Sequence, residues 1–282
     1  MAWRLRVLAR MRVAIVVALG LAGCGVIGDP TDGTGGDDGK ADGPGDGWTM
    51  VGKGVAYQQI NAGSAILIAY GGYSARLSYS TAWASELVDA RLGAVDVGRV
   101  YAVQGPADPG YDAREIANTK LRAHLATIDD GHSPIYIVAH SSGTYVAHEL
   151  LAQLHATANT AVLSRIAYAN LDGGGSGLTA EIVDSLQRIA FVYAHDPSLT
   201  AGFSENNATA RALGAEYAPH AATFQVVVPE TGCNSGAGWC LHDVLVTHRP
   251  HNAASYDLAR DYTDFVDRPP TIEYFDALIA AP

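Results

Sequence analysis

Cysteine is scarce in this chain, with three residues in 282. That is too few for a disulfide scaffold, and their spacing matches no zinc site. Positive charge is also short: 18 Lys and Arg stand against 29 Asp and Glu, a formal net charge of -11. The chain therefore lacks the basic face that a phosphate backbone needs, and nucleic acid is excluded as a partner. The N-terminal apolar run, Val13 to Ala22, falls well short of the ~20 residues that span a bilayer. No internal repeat is present. What the chain does have is apolar side chains, at 48%, enough for a large core and too many for a disordered chain. Only residues 1–47 look non-globular. The rest, about 235 residues, is the size of one α/β domain.

The N-terminus reads as an export signal. Arg4, Arg6, Arg10 and Arg12 precede the apolar run, a positive region followed by a short hydrophobic one. The run ends in Leu21-Ala22-Gly23-Cys24, which resembles the lipobox of bacterial lipoproteins. The resemblance implies that the Cys24 sulfur receives a diacylglyceryl group and that cleavage frees its amine for a further acyl chain. More than one chain gives stable membrane attachment. Gly25 after the cysteine, rather than Asp, implies outer-membrane sorting, with the folded part in the periplasm or at the cell surface. Residues 25–47 are almost entirely Gly, Asp, Pro and Thr, a flexible tether without an EF-hand register. The expected organisation is a signal peptide over 1–24, a tether over 25–47 and one folded domain over 48–282.

Within that domain short apolar runs alternate with amphipathic stretches. Strands are predicted at Val55–Ile60, Ala65–Tyr70, Val97–Gln104, Ile135–Ala139, Ile166–Leu171, Ile189–Ala194 and Thr223–Val228. Helices are predicted near residues 81–92, 113–128, 144–155, 179–187 and 254–265. Continuous apolar strands between helices imply an α/β fold whose mostly parallel sheet is covered on both faces.

The most informative stretch is Ala139-His140-Ser141-Ser142-Gly143, set between the most apolar strand and a helix. Small residues two before and two after a serine let a sharp strand-to-helix turn bring backbones together, and the serine is presented on that turn. The match is similar to the nucleophile elbow of the α/β-hydrolase family, with Ala139 in the place of the usual glycine, as in some bacterial lipases. The resemblance extends over the whole chain after the tether and implies an α/β-hydrolase fold. It makes Ser141 the nucleophile and the backbone N–H of Ser142 one oxyanion donor. The second donor is expected in the loop after Tyr70, at Gly72 or Tyr73.

Family chain order is serine, acid, histidine, so the base follows the last strand. His242 is the first choice, with His251 and then His248 as alternatives, whereas His140 and His148 read as packing or surface residues. Export permits a Cys233–Cys240 disulfide, whose loop would stiffen the segment presenting His242. Two aspartates compete for the acid. Asp196 follows the strand that carries it in most relatives and comes first. Asp172 ends the preceding strand, where some lipases place theirs, before a glycine run. His248-x-x-His251 has no further ligand set, so no metal is expected, and no cofactor is required.

A serine activated by histidine forms an acyl-enzyme that water resolves. The connection between Asp172 and Arg188 is too short for a helical cap domain, and the stretch between Asp196 and Thr223 allows a modest lid at most. An open cleft suits a small-molecule or lipid ester, so esterase or lipase activity is expected. Peptidase, thioesterase and acyltransferase chemistry would use the same machinery. Tyr70, Tyr73, Tyr79, Trp83 and Tyr111 either line that cleft or pack. The contrasting expectation is a surface-tethered binding protein that kept the fold and lost turnover.

Overall fold

The computed structural model describes residues 44, 46–72, 75–89, 96–106, 111–194, 204–219, 223–228, 242 and 245–246. Eight strands form one sheet: β1 (Thr49–Gly52), β2 (Val55–Gln59), β3 (Ala65–Tyr70), β4 (Val97–Val103), β5 (Ile135–His140), β6 (Ile166–Leu171), β7 (Arg188–Ala194) and β8 (Thr223–Val228). Their spatial order is β1-β2-β4-β3-β5-β6-β7-β8. β2 pairs antiparallel with β1 and with β4, and every pairing from β4 through β8 is parallel. The helices are α1 (Leu77–Asp89), α2 (Tyr111–Ile128), α3 (Gly143–Ala156), α4 (Thr160–Leu163), α5 (Ala180–Ser185) and α6 (Ser204–Tyr217).

Strand periodicity divides the core into two layers. Ala65, Leu67 and Ala69 of β3, with Val100, Ala102, Val138, Ala167 and Ala169, face α1 through Trp83 and Leu87. Ile66, Ile68 and Tyr70, with Tyr101, Ile137, Tyr168 and Phe191, face α2, α3, α5 and α6. The central strands β3, β5 and β6 are buried along their whole length, which is why they read as apolar runs, interrupted only by Asn170 in β6 and by His140 at the end of β5. Tyr70, Tyr79 and Trp83, weighed above as cleft residues, belong to this core; Tyr70 and Trp83 have no exposed surface.

Three elements, β1, the single-turn α4 and α6, have no counterpart among the predicted ones. β1 has exposed residues and pairs only at the sheet edge, so it carries no apolar pattern. The stretch read as at most a lid contains α6, which packs on the sheet. Tyr217 of α6 stacks on Phe191 of β7 at 6.1 Å, and its hydroxyl donates to the Leu178 carbonyl at 3.2 Å. α6 is the crossover helix between β7 and β8. Among the described residues the connection from β6 to β7 holds only the short α5, capped by Thr179, whose hydroxyl accepts from the Ile182 N–H, and no helix is long and apolar enough to cross a membrane.

His148 shows how polar groups are housed in this core. It is wholly buried, its Nδ1–H donates to the Ser176 carbonyl at 2.9 Å, and its Nε2 accepts from the Tyr168 hydroxyl at 2.9 Å. Burial pushes the imidazole from its ordinary 6.5 down to about 4. Between those two pH values the unfolded chain binds more protons than the folded one, so stability falls as pH falls through that window. His148 alone is expected to contribute a loss on the order of 3 kcal/mol across it. Denaturant titrations at pH 7 and pH 4 should show a smaller pH-dependent loss in His148→Gln than in the wild type, and equal losses would refute the assignment.

Candidate active site

The carboxyl ends of β3, β5 and β6 lie side by side. Register places Tyr70 opposite Ala139 and His140 opposite Leu171, so Gly71, Ser141 and Asp172 all emerge at one edge. Ser141 lies between β5 and α3 with φ 54°, a left-handed conformation costly for a residue with a Cβ. The surroundings impose it. The Ser141 N–H donates to the Leu171 carbonyl at 3.0 Å, and its carbonyl accepts from the N–H and hydroxyl of Thr144 at 3.1 and 2.7 Å. Gly143 makes the turn possible, because a Cβ there would stand 2.3 Å from the Gly71 carbonyl oxygen. That close approach sets the β3 loop against the start of α3. No backbone carbonyl among the described residues accepts from the N–H of Ser142 or Gly72. Tyr73, the alternative second donor, lies outside the described residues.

Asp172 is the other residue here with φ in the left-handed region, at 47°. It is fully buried, and its N–H donates to the Val192 carbonyl at 2.8 Å. The following loop is tied back by Asn170, whose Oδ1 accepts from the Gly173 N–H at 3.0 Å and whose Nδ2 donates to the Gly174 carbonyl at 3.2 Å. A Cβ at Gly173 would lie 2.1 Å from the Thr144 methyl, so only glycine lets this loop lie against the elbow.

His242 meets this aspartate. Its Nδ1 lies 2.7 Å from Asp172 Oδ2, and both side chains are almost completely buried. Burial pushes the His242 imidazole down to about 4 and raises the Asp172 carboxyl well above its usual range. Both shifts have one cause, loss of water around a charged form. The imidazole is therefore neutral at pH 7, with Nδ1 turned toward Asp172. Asp172 Oδ1 is buried with no hydrogen-bond partner among the described residues, where this carboxyl group holds the His242 imidazole. Leu245 and Val246, both without exposed surface, sink into the α1-side core just after His242 and hold its segment.

Two further residues belong to this neighbourhood. His140 is buried with 1% exposure; its Nε2 lies 3.0 Å from the His242 carbonyl and its ring 4.6 Å from the His242 ring. Asn170 holds the Asp172 loop, as above. Both are polar residues inside or at the end of otherwise apolar strands, a signal visible in the sequence. His140 and His148 are thus packing residues, and His140 packs against the site itself. Asp196, His248, His251, Cys24, Cys233, Cys240 and the helix expected near 254–265 lie outside the described residues. Among the described residues no three His, Cys, Asp or Glu side chains gather as a metal-binding group.

The opposite edge of the sheet has a different character. An open depression of about 330 Å³ is lined by Tyr57, Gln59, Ser64, Arg99 and Asp130, among others. The Arg99 guanidinium there is spent on the carbonyls of Ile128 and Ser64 and on Asp130. That edge carries a structural clamp, and neither strained residue lies near it.

No protein-family model and no curated protein matches the chain. Among solved structures, carboxyl esterase 2 from the mycorrhizal fungus Tuber melanosporum is similar over 85% of this chain and 89% of its own, at 10% identity and a TM-score of 0.50. One of two fungal esterases from Rhizomucor miehei is similar over 80% of this chain and 79% of its own, at 9% identity and a TM-score of 0.47. Identities this low speak to architecture alone. The strand order, the antiparallel strand β2 and the likeness to the Tuber enzyme give this chain the α/β-hydrolase fold.

Proposed function

We propose that the protein is a serine hydrolase of carboxylic esters, with Ser141 as nucleophile, His242 as base and Asp172 as the acid that orients it. The observation carrying this reading is the buried 2.7 Å bond between His242 Nδ1 and Asp172 Oδ2, one strand away from a serine held at φ 54°. A proton on Nδ1 leaves Nε2 as the nitrogen that receives the Ser141 proton. Ser141 Oγ then bonds to the acyl carbon, and the carbonyl oxygen becomes an oxyanion. The N–H of Ser142 and that of Gly72 or Tyr73 stabilise this charge. Collapse breaks the ester bond, the alcohol leaves with the proton from His242, and water repeats the sequence to free the acid. The ester is taken as the substrate class after the Tuber esterase, whose fold this chain shares. Labelling of the full chain with a fluorophosphonate tests the reading: one modified serine, at position 141, is expected. A surface-tethered binding protein would remain unlabelled.

We further infer that Cys24 carries a lipid anchor and that residues 25–47 hold the domain away from an outer membrane. The basic and apolar order before the cysteine supports this. Cys24→Ser should move the protein from the membrane fraction to the soluble fraction of a Gram-negative host. If the variant stays with membranes after a carbonate wash, the anchor is disproved. A Cys233–Cys240 bridge belongs to the same proposal, and intact mass under non-reducing conditions should show those two thiols oxidised.

A further inference from the structure

We propose that His140, the residue before the nucleophile, is a positioning residue whose ring clamps the backbone of His242 onto strand β5. The inference rests on the ester-hydrolase reading above. A histidine at the end of a strand that is otherwise apolar must give up hydration, which is costly unless its polar atoms find partners. Here Nε2–H donates to the His242 carbonyl at 3.0 Å, a partner 102 residues away in the chain. Burial holds the imidazole well below its ordinary range, so His140 stays neutral and adds no charge beside the base.

The reason such a clamp matters is how His242 is held. Its ring is fixed at one end by Asp172. Leu245 and Val246 fix the following chain by packing, which is non-directional. The hydrogen bond from His140 adds a directional restraint on the peptide from which the imidazole springs. The two rings, 4.6 Å apart and tilted by 36°, also keep that space filled. Because His140 and Ser141 are consecutive, the restraint ties the position of the base directly to that of the nucleophile. Small displacements between reacting groups are expensive, ~10²-fold for about 1 Å.

Two variants of the full chain separate the donor from the ring. His140→Gln keeps an N–H near the place of Nε2, whereas His140→Phe keeps a ring and loses the donor. Measured on a p-nitrophenyl ester, His140→Phe should lower kcat ~10- to 100-fold with KM nearly constant. His140→Gln should recover most of the loss. Amide hydrogen exchange of the peptide containing His242 should quicken in the Phe variant and stay close to wild type in the Gln variant. Wild-type kcat and exchange in His140→Phe would overturn the clamp. Equal losses in both variants, or faster exchange across the whole sheet, would overturn it as well. If the wild-type protein shows neither labelling nor turnover, the hydrolase reading fails while the exchange comparison still reports on the clamp, so the two failures are distinguishable.

Discussion

Ser141→Ala is expected to abolish both fluorophosphonate labelling and ester hydrolysis, with a fall in kcat of ~10⁴- to 10⁶-fold. The melting temperature should barely move. The structure explains why these two outcomes separate. The bonds that hold residue 141 in its left-handed turn are made by its backbone, through Leu171 and Thr144, and alanine keeps all of them. Alanine carries the same Cβ, so the strain of φ 54° is unchanged. Only the hydroxyl is lost, the group that the proposed mechanism uses. Retention of more than about a tenth of wild-type turnover, against the expected ~10⁴-fold loss, would place the nucleophile elsewhere.

Asp172→Asn should lower kcat by up to ~10⁴-fold with little change in KM. An amide can donate to Nδ1, which drives the imidazole proton to Nε2 and removes the lone pair that Ser141 needs. Stability should change little, because the variant replaces a buried carboxyl group whose second oxygen has no partner among the described residues while it retains a hydrogen bond to His242. Asp196→Asn is expected to leave kcat within a few-fold of wild type, since the Asp172 carboxylate already occupies the imidazole at 2.7 Å. Chromogenic ester kinetics on the two variants decide between the aspartates. A large loss in Asp196→Asn with near-normal turnover in Asp172→Asn would reverse the assignment.

The strands β3, β5 and β6 and the helix α3 are legible because each has a local cause: largely apolar runs, a glycine two residues past the serine, and an amphipathic stretch after it. The turn at Ser141 is legible for the same reason, since strand, turn and helix are contiguous. β1 carries no such pattern, as it is an exposed edge that exists only by pairing with β2. The role of α6 was not legible either, because a polar-rich helix between two strands reads alike as a lid or as a crossover until its packing against Phe191 is seen.

The sequence by itself determined the α/β class, the position of the elbow and a short set of histidines and aspartates in the right chain order. Tertiary structure decided which of them meet. Asp172 and His242 are 70 residues apart, and His140 and His242 are 102 apart. Separations of that size carry no local signature. Asp172 reaches His242 because β6 lies next to β5, which brings Asp172 to the same edge of the sheet as Ser141, and because Leu245 and Val246, shortly after His242, are buried in the core. Propensity and periodicity act over one turn or one strand, whereas the pairing of strands and the burial of distant apolar side chains bring His242 to Asp172.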